Sequence, residues 1–482
     1  MAERSYEPAD LQKAAALYCE GWLPQDIAEV MSLPTSSVQR MLEHAEQYRY
    51  IEYRPHLTVD PLLQEARDFV HDETLTAALR KVLTESLELD LLSLHITPSP
   101  RAMFERYSTR AAEDSAEHRQ YRDAEYVSLR AAASRAADEL CRCLFDGADH
   151  TIGVNWGTSV KLTIDAMRPL PAELTDARLS VISLFGDIDF HPQDSRRHRL
   201  GSAYVNSNRH VTQLASRLGG RAEQVPLNVP GFVPAEFAND PEVFRGIRTF
   251  LGRHASYLQI FGELPSDDPT KPRKYNGIID VHSDARITKM DTIITGFGSA
   301  DSYTDTFHFL GVWLNDAENQ TLLRYCANGM VVGDIAGHLI ASLEGKDDAQ
   351  LQQFLRRINQ RILAAQPSDF ADVASRHRKT RAGAGVVGVT VGARKAKVVA
   401  RLLSLTPCPI SALFIDTHCA LALLAELSTT EFHRFVTESG ARLTSDVRRW
   451  SKDTRRLIPV GAKRPARVPI SRSASPSPST SR

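Results

Sequence analysis

Near the start of the chain, apolar residues recur at helical spacing. The sets are Leu11, Ala14, Ala15 and Tyr18, then Ile27, Ala28 and Met31, then Val38, Met41, Leu42 and Ala45. Glu20-Gly21 ends the first stripe, because glycine tolerates a left-handed turn. Pro24 suits the first turn of the second helix, and Ser32-Leu33-Pro34 separates it from the third. Short helices leading into a longer one form the arrangement that lays a recognition helix in the major groove of DNA. Thr35, Ser36, Ser37, Gln39 and Arg40 lie at the start of that third helix, where base edges are reached, and are the candidate DNA-contacting residues. The competing reading is a small helical domain with no DNA role. Charge speaks for it: residues 1–56 hold five Lys/Arg against nine Asp/Glu, whereas a DNA module normally has a basic footprint.

Further along, the period of the pattern changes repeatedly. Residues 65–94 read as helix, and the apolar run 91–96 before Thr97-Pro98-Ser99-Pro100 fits a strand and turn. Residues 151–156, 179–185, 222–229, 291–296, 386–391 and 412–415 read as strands. Residues 126–145, 161–167, 206–218, 321–326, 349–364, 394–403 and 418–427 read as helices. Alternation of this kind predicts an α/β fold, a largely parallel sheet covered by helices on both faces. Two segments interrupt it: a highly charged stretch at 101–123, and a polar insertion from about 262 to 289.

Composition narrows the class. Of 482 residues, 42% are hydrophobic and 24% charged, ordinary values for a soluble chain with room for more than one domain. The net charge of −1 hides an uneven spread: residues 442–482 carry eleven Lys/Arg and two Asp, or +9, leaving −10 for the rest. From Pro459 onward the chain is Pro, Arg and Ser, a composition that buries too little apolar area to order itself. No apolar run has transmembrane length, and the start MAERSYEPADLQ has no signal-peptide core. A cytoplasmic protein with no membrane association is expected. Six cysteines in so long a chain make no disulfide framework. Cys141 and Cys143 point in different directions on a helix, and no ligand set forms around His191 and His198, which flank Ser195-Arg196-Arg197-His198-Arg199. Neither a metal nor a cofactor is expected.

The candidate chemistry sits where strands give way to helices. In Thr151-Ile-Gly-Val-Asn-Trp-Gly-Thr-Ser-Val160, Gly153 and Gly157 let a ligand approach the backbone. Thr158 and Ser159 offer hydroxyls beside the free N–H groups of a helix N-terminus, a phosphate cradle. Asp291-Thr-Ile-Ile-Thr-Gly-Phe-Gly-Ser299 ends a strand in Gly296 and Gly298. Val389-Thr-Val-Gly-Ala-Arg-Lys-Ala-Lys397 ends one at Gly392 and opens a helix with Lys395, a charge the helix dipole disfavours and an anionic ligand would offset. Asp334 and Asp416 fall at further element junctions, where a carboxylate binds sugar hydroxyls or caps a helix. Each loop taken singly also fits a plain strand-to-helix turn.

Taken in order, these pieces resemble the SorC family of sugar-responsive bacterial transcription regulators. LYCEGWLPQDIAEVMSLPTSSVQRMLEHA resembles its DNA-binding module, and TIGVNWGTSV its glycine-tryptophan-glycine phosphate loop. SRLGGRAEQVPLNVP, DTIITGFGS, GMVVGDIAGH, VTVGARKAKVVARLL and ISALFIDTHCALALL are similar to five further elements in the same sequence order. The resemblance implies a helix-turn-helix domain at 1–58. It implies a Rossmann-like effector domain at 59–440, related to sugar-phosphate isomerases and deaminases, and leaves a basic, largely disordered tail at 441–482. It implies operator DNA and a sugar or sugar phosphate as partners, and a homodimer or homotetramer. The effector-binding residues would be Gly153, Gly157, Thr158, Ser159, Gly296, Gly298, Asp334, Lys395 and Asp416. There are departures: Thr158 stands where the family's loop usually has arginine, Val391 replaces a glycine, Ile415 a threonine, and Pro34 a serine, leaving Thr35 to cap the recognition helix.

The leading expectation is therefore a ligand-gated transcription regulator and not an enzyme. The alternative is a sugar-phosphate isomerase or deaminase with an appended helical module, for which Asp334 and Asp416 are the candidate bases. A third is a binding or scaffold protein without DNA activity, favoured by the acidic N-terminal module.

Overall fold

A strand apolar on both faces is stable only between two covering layers. The computed structural model describes much of residues 10–47, then 72–104, 116–187, 206–262, 274–300 and 310–438 apart from short gaps, and Val468–Pro469. Its centre is a seven-stranded sheet built from β1 (Ser93–Thr97), β2 (His150–Val154), β3 (Leu179–Ser183), β4 (Glu223–Val225), β5 (Thr292–Thr295), β9 (Gly385–Val389) and β10 (Ala412–Asp416). Between β5 and β9 the chain makes a small antiparallel sheet of β6 (Gly298–Ser299), β7 (Val331–Ile335) and β8 (His338–Ala341). Every pairing in the large sheet is parallel. Alternate residues enter opposite cores: Ile293, Val386 and Leu413 face one, and their neighbours Ile294, Val387 and Phe414 face the other.

The helices that matter to the site are α1 (Thr35–Gln47), α2 (Asp72–Leu87), α3 (Ala116–Leu144), α4 (Thr158–Ala166), α5 (Ser207–Arg217), α6 (Asp316–Ala327), α7 (Ala349–Asn359), α8 (Pro367–Thr380), α9 (Ala396–Leu403), α10 (Thr417–Leu427) and α11 (Thr429–Glu438). The strands read from the pattern are all present. β4 is shorter than expected because Pro226 follows it and cannot donate to the ladder. α7 stops at Asn359 rather than 364, since Ile362 and Ala364 form bridges to Phe232 and Phe185. The charged stretch 101–123 is a short turn, Arg101–Phe104, and the first part of α3, with 105–115 outside the described residues. The polar insertion contains a small hairpin, Lys274–Asn276 against Ile279–Val281. The pattern missed α8, α11, the helices Pro241–Leu251 and Ala255–Phe261, and the β7–β8 hairpin.

In the N-terminal module Leu11, Ala14, Ala15, Ile27, Ala28, Val38, Met41, Leu42 and Ala45 bury one another in a cluster distinct from both cores of the sheet. Tyr18 and the Glu20-Gly21 turn lie outside the described residues. α1 opens differently from expectation. The Pro34 carbonyl accepts from the Ser37 and Val38 amides, so Pro34 holds the cap position and Thr35 is already helical. His191, His198 and their arginine-rich loop also fall outside the described residues, as does the tail except for Val468–Pro469, which runs parallel to Leu405–Thr406. Among the described residues no helix is long and apolar enough to cross a membrane, and no three His, Cys, Asp or Glu cluster to hold a metal.

Candidate functional site

Across the large sheet the strands run in the order β1-β10-β9-β5-β2-β3-β4. From β2 the chain winds outward through β3 to β4; from β5 it winds the opposite way through β9 to β10. The reversal falls between β2 and β5. Loops leaving adjacent strands part at such a point and open a crevice beyond the carboxyl ends, where α/β sheets bind ligands.

Asn155 ties the two sides of this reversal together. Its amide donates to the Ile294 carbonyl at 3.0 Å. Its Nδ2 donates to Thr295 Oγ1 at 2.9 Å, and its Oδ1 accepts from the Trp156 amide at 2.9 Å. Trp156 stacks on Phe185 with centroids 5.4 Å apart. Gly157 follows with φ +113°, and a Cβ there would touch nothing, so the backbone conformation rather than space requires glycine. It opens α4 without a side-chain cap, leaving Thr158 and Ser159 half-buried at the helix start. Gly296, at the end of β5, meets that turn. A Cβ on Gly296 would lie 3.0 Å from Ser159 Oγ and 3.6 Å from the Val389 carbonyl at the end of β9. The ends of β5 and β9 and the start of α4 thus meet at one glycine.

Gly298 pairs with Asp334 across the small sheet. A Cβ on Gly298 would lie 1.6 Å from Asp334 Oδ1, so this glycine makes room for the carboxylate. Asp334 is buried, and its Oδ2 accepts from the Gly337 amide at 3.0 Å in the β7–β8 turn. A Cβ on Gly337 would meet Phe185 at 2.5 Å, which brings the tip of that hairpin against the Trp156–Phe185 stack.

The loop after β9 is stitched on every side. Gly392 N–H donates to Asp416 Oδ1 at 2.9 Å, and Ala393 N–H to His418 Nδ1 at 3.4 Å. Ser299 Oγ donates to the Arg394 carbonyl at 2.8 Å, and the Lys395 amide to the Gly392 carbonyl at 3.1 Å. The Arg394 guanidinium pairs with both Glu125 oxygens, at 3.2 and 3.0 Å, and stands 5.1 Å from the Tyr121 ring. Burial, helped by the charge of Arg394, pushes His418 down to about 3, which keeps its imidazole neutral and able to accept.

Two sequence-read effector residues have other work in the structure. The space beside Gly153 is filled by core side chains: a Cβ would lie 2.6 Å from Met290 Sδ and 2.8 Å from Leu184. Asp416 is fully buried and caps α10. Its Oδ1 accepts from the Gly392 and Cys419 amides, both at 2.9 Å, and its Oδ2 from Ser99 Oγ at 2.8 Å and Ser128 Oγ at 2.9 Å. Burial pushes its carboxyl up, and these four donors oppose the shift. Gly157, Thr158, Ser159, Gly296 and Lys395 lie just beyond the carboxyl ends of β2, β5 and β9, and Gly298 and Asp334 lie on the small antiparallel sheet. Sequence reasoning missed Asn155, Phe185, Ser299 and Glu125; the first was legible as a polar residue between a strand and a glycine turn. In α1, Ser36, Gln39 and Arg40 are exposed while Thr35 and Ser37 are half-buried. Arg40 Nε folds back to the Ser36 carbonyl at 3.2 Å.

No protein-family model matches the chain, and no curated protein matches it in sequence. Among solved structures it is similar to the full-length sorbitol operon regulator SorC from Klebsiella pneumoniae, with 14% identity and a TM-score of 0.44, covering 87% of this chain and 100% of that one. It is similar to a domain of a possible sugar-binding transcriptional regulator from Arthrobacter aurescens TC1, with 17% identity and a TM-score of 0.44 over 74% and 98% of the two chains. A DeoR family transcriptional regulator from Listeria monocytogenes gives 15% identity and a TM-score of 0.43 over 72% and 99%.

Proposed function

We propose that this chain is a DNA-binding transcription regulator, gated by a sugar or sugar-phosphate effector and controlling carbohydrate-related genes. Residues 1–58 act as the DNA-binding domain, 59–440 as the effector domain and 441–482 as a basic tail, in a cytoplasmic homodimer or homotetramer. The observation that carries the reading is the pairing of two features in one chain. A separately packed helical module presents Ser36, Gln39 and Arg40 on the surface of its third helix. A parallel sheet reverses its strand order between β2 and β5, where such sheets bind ligands, and Gly157, Ser159 and Gly296 stand beyond the strand ends at that point. Effector bound in such a crevice shifts the assembly between states of different operator affinity. For the enzyme alternative, one of its two candidate bases, Asp416, has both oxygens engaged by protein donors, which speaks for binding rather than catalysis.

The test is operator selection from random duplexes with the full chain, followed by titration of Arg40→Ala on the selected sequence. A bidentate side-chain–base pair is worth ~1–3 kcal/mol. Loss of about tenfold or more in affinity, with the melting temperature unchanged, is expected. Failure of the wild type to enrich any duplex would overturn the DNA-binding reading.

A further inference from the structure

The loop after β9 carries two cations, Arg394 and Lys395, on adjacent residues. Its other feature is that its donors already have anionic or neutral acceptors within the chain. The Gly392 amide goes to the Asp416 carboxylate and the Ala393 amide to the His418 imidazole. The Arg394 guanidinium goes to Glu125, one terminal nitrogen donating to both carboxylate oxygens in a charge-assisted contact. Both partners of that pair are only 23% exposed, so solvent screens it weakly.

Glu125 reaches this loop by design of α3. Tyr121, Glu125 and Ser128 follow one another at helical spacing on a single face. Tyr121 lies against the Arg394 guanidinium, Glu125 pairs with it, and Ser128 donates to Asp416 at 2.9 Å. The fit is close. A Cβ on Gly392, whose φ is +83°, would lie 2.9 Å from Glu125 Oε1 and 3.3 Å from the Tyr121 hydroxyl. Two carboxylates therefore engage the loop: Asp416 takes its Gly392 amide and Glu125 its Arg394 guanidinium.

We propose that Glu125 is a specificity-determining residue, an internal counter-anion that occupies Arg394 and turns the crevice away from phosphorylated effectors toward uncharged sugars or polyols. This rests on the effector-binding reading of the crevice. A phosphate approaching the loop meets a fixed negative charge and an arginine already engaged. It must displace the carboxylate or share the guanidinium with it, and like-charge juxtaposition of this kind is costly.

Inorganic phosphate is the probe, titrated calorimetrically into the full-length protein. Glu125→Gln keeps the shape and one acceptor for Arg394 while removing the charge. It is expected to bind phosphate at least about tenfold more tightly than the wild type, and the added Lys395→Ala should remove the gain. Glu125→Ala repeats the test should the glutamine variant melt early. Equal phosphate affinity in wild type and both variants, or no detectable binding in any, overturns the proposal. So does a gain that persists in the Glu125→Gln/Lys395→Ala double variant, since the phosphate then sits elsewhere. The gated-regulator reading fails by a different measurement, the absence of operator selection, so the two failures are distinguishable.

Discussion

Asp416→Ala separates two readings of one residue. A ligand-contacting aspartate can be removed without cost to the unliganded fold; a buried cap cannot. In the structure Asp416 holds two backbone amides and two hydroxyls, all at 2.8–2.9 Å, with no solvent exposure. The Ser99 and Ser128 hydroxyls can turn toward other acceptors, but the Gly392 and Cys419 amides are fixed by the backbone. Leaving a buried donor unsatisfied costs about 1–3 kcal/mol, and losing an N-cap about 0.5–2 kcal/mol. The cap bond to Cys419 belongs to both figures, so they overlap. Alanine also relieves the burial of a carboxylate that the interior disfavours, which offsets part of the loss. The net is a destabilisation of about 2–4 kcal/mol. Urea unfolding of the full chain, followed by far-ultraviolet circular dichroism, should move to lower denaturant by that amount. Asp416→Asn should fall between, because its remaining carbonyl still accepts from both amides. If Asp416→Ala unfolds within about 0.5 kcal/mol of the wild type, the capping account is wrong.

His150 is buried between Asp146 at 2.9 Å and Asp291 at 3.1 Å; burial opposes its charge, but the two carboxylates outweigh it and push its pKa up to about 9. Unfolded histidine titrates near 6.5, so the contribution to stability is fully present below that pH and lost as pH rises through about 9; melting temperatures should decline across this window in the wild type and flatten in His150→Gln, and parallel curves for the two would refute the assignment. Deleting residues 459–482 removes five Lys/Arg and, with each neutralised phosphate adding about −0.9 to the salt slope, should flatten the salt dependence of DNA binding without changing the preferred operator. Identical slopes would leave the tail with no part in binding.

The parallel strands were legible because burial on both faces leaves a near-continuous apolar run, as in Ala412–Asp416 and Thr292–Thr295. The stripes of the N-terminal module were legible for the complementary reason, a single period held over several turns. The β7–β8 hairpin was not. Its strands are short, and its turn at Ala336-Gly337, with φ of 49° and 78°, lacks an Asn or Asp that would have announced it. Strand order, and with it the crevice, is a tertiary property with no local signature.

Glycine and aspartate show where the limit lies within the site itself. Gly153 and Gly157 sit in one motif, yet the first yields space to Met290 and Leu184 and the second turns the backbone into open space. Asp334 and Asp416 both follow apolar residues near strand ends. One lies over a glycine that a side chain would exclude; the other is saturated by four donors, two of which come from residues about 300 positions away in sequence. Glu125 and Arg394 are 269 residues apart. A side chain's charge is written in the sequence, but the partner that neutralises it is chosen by the fold. A loop such as Gly392-Ala393-Arg394-Lys395 therefore reads as an anion site until the structure supplies the carboxylates. That is why the anion preference of such a loop is a property the sequence leaves to geometry.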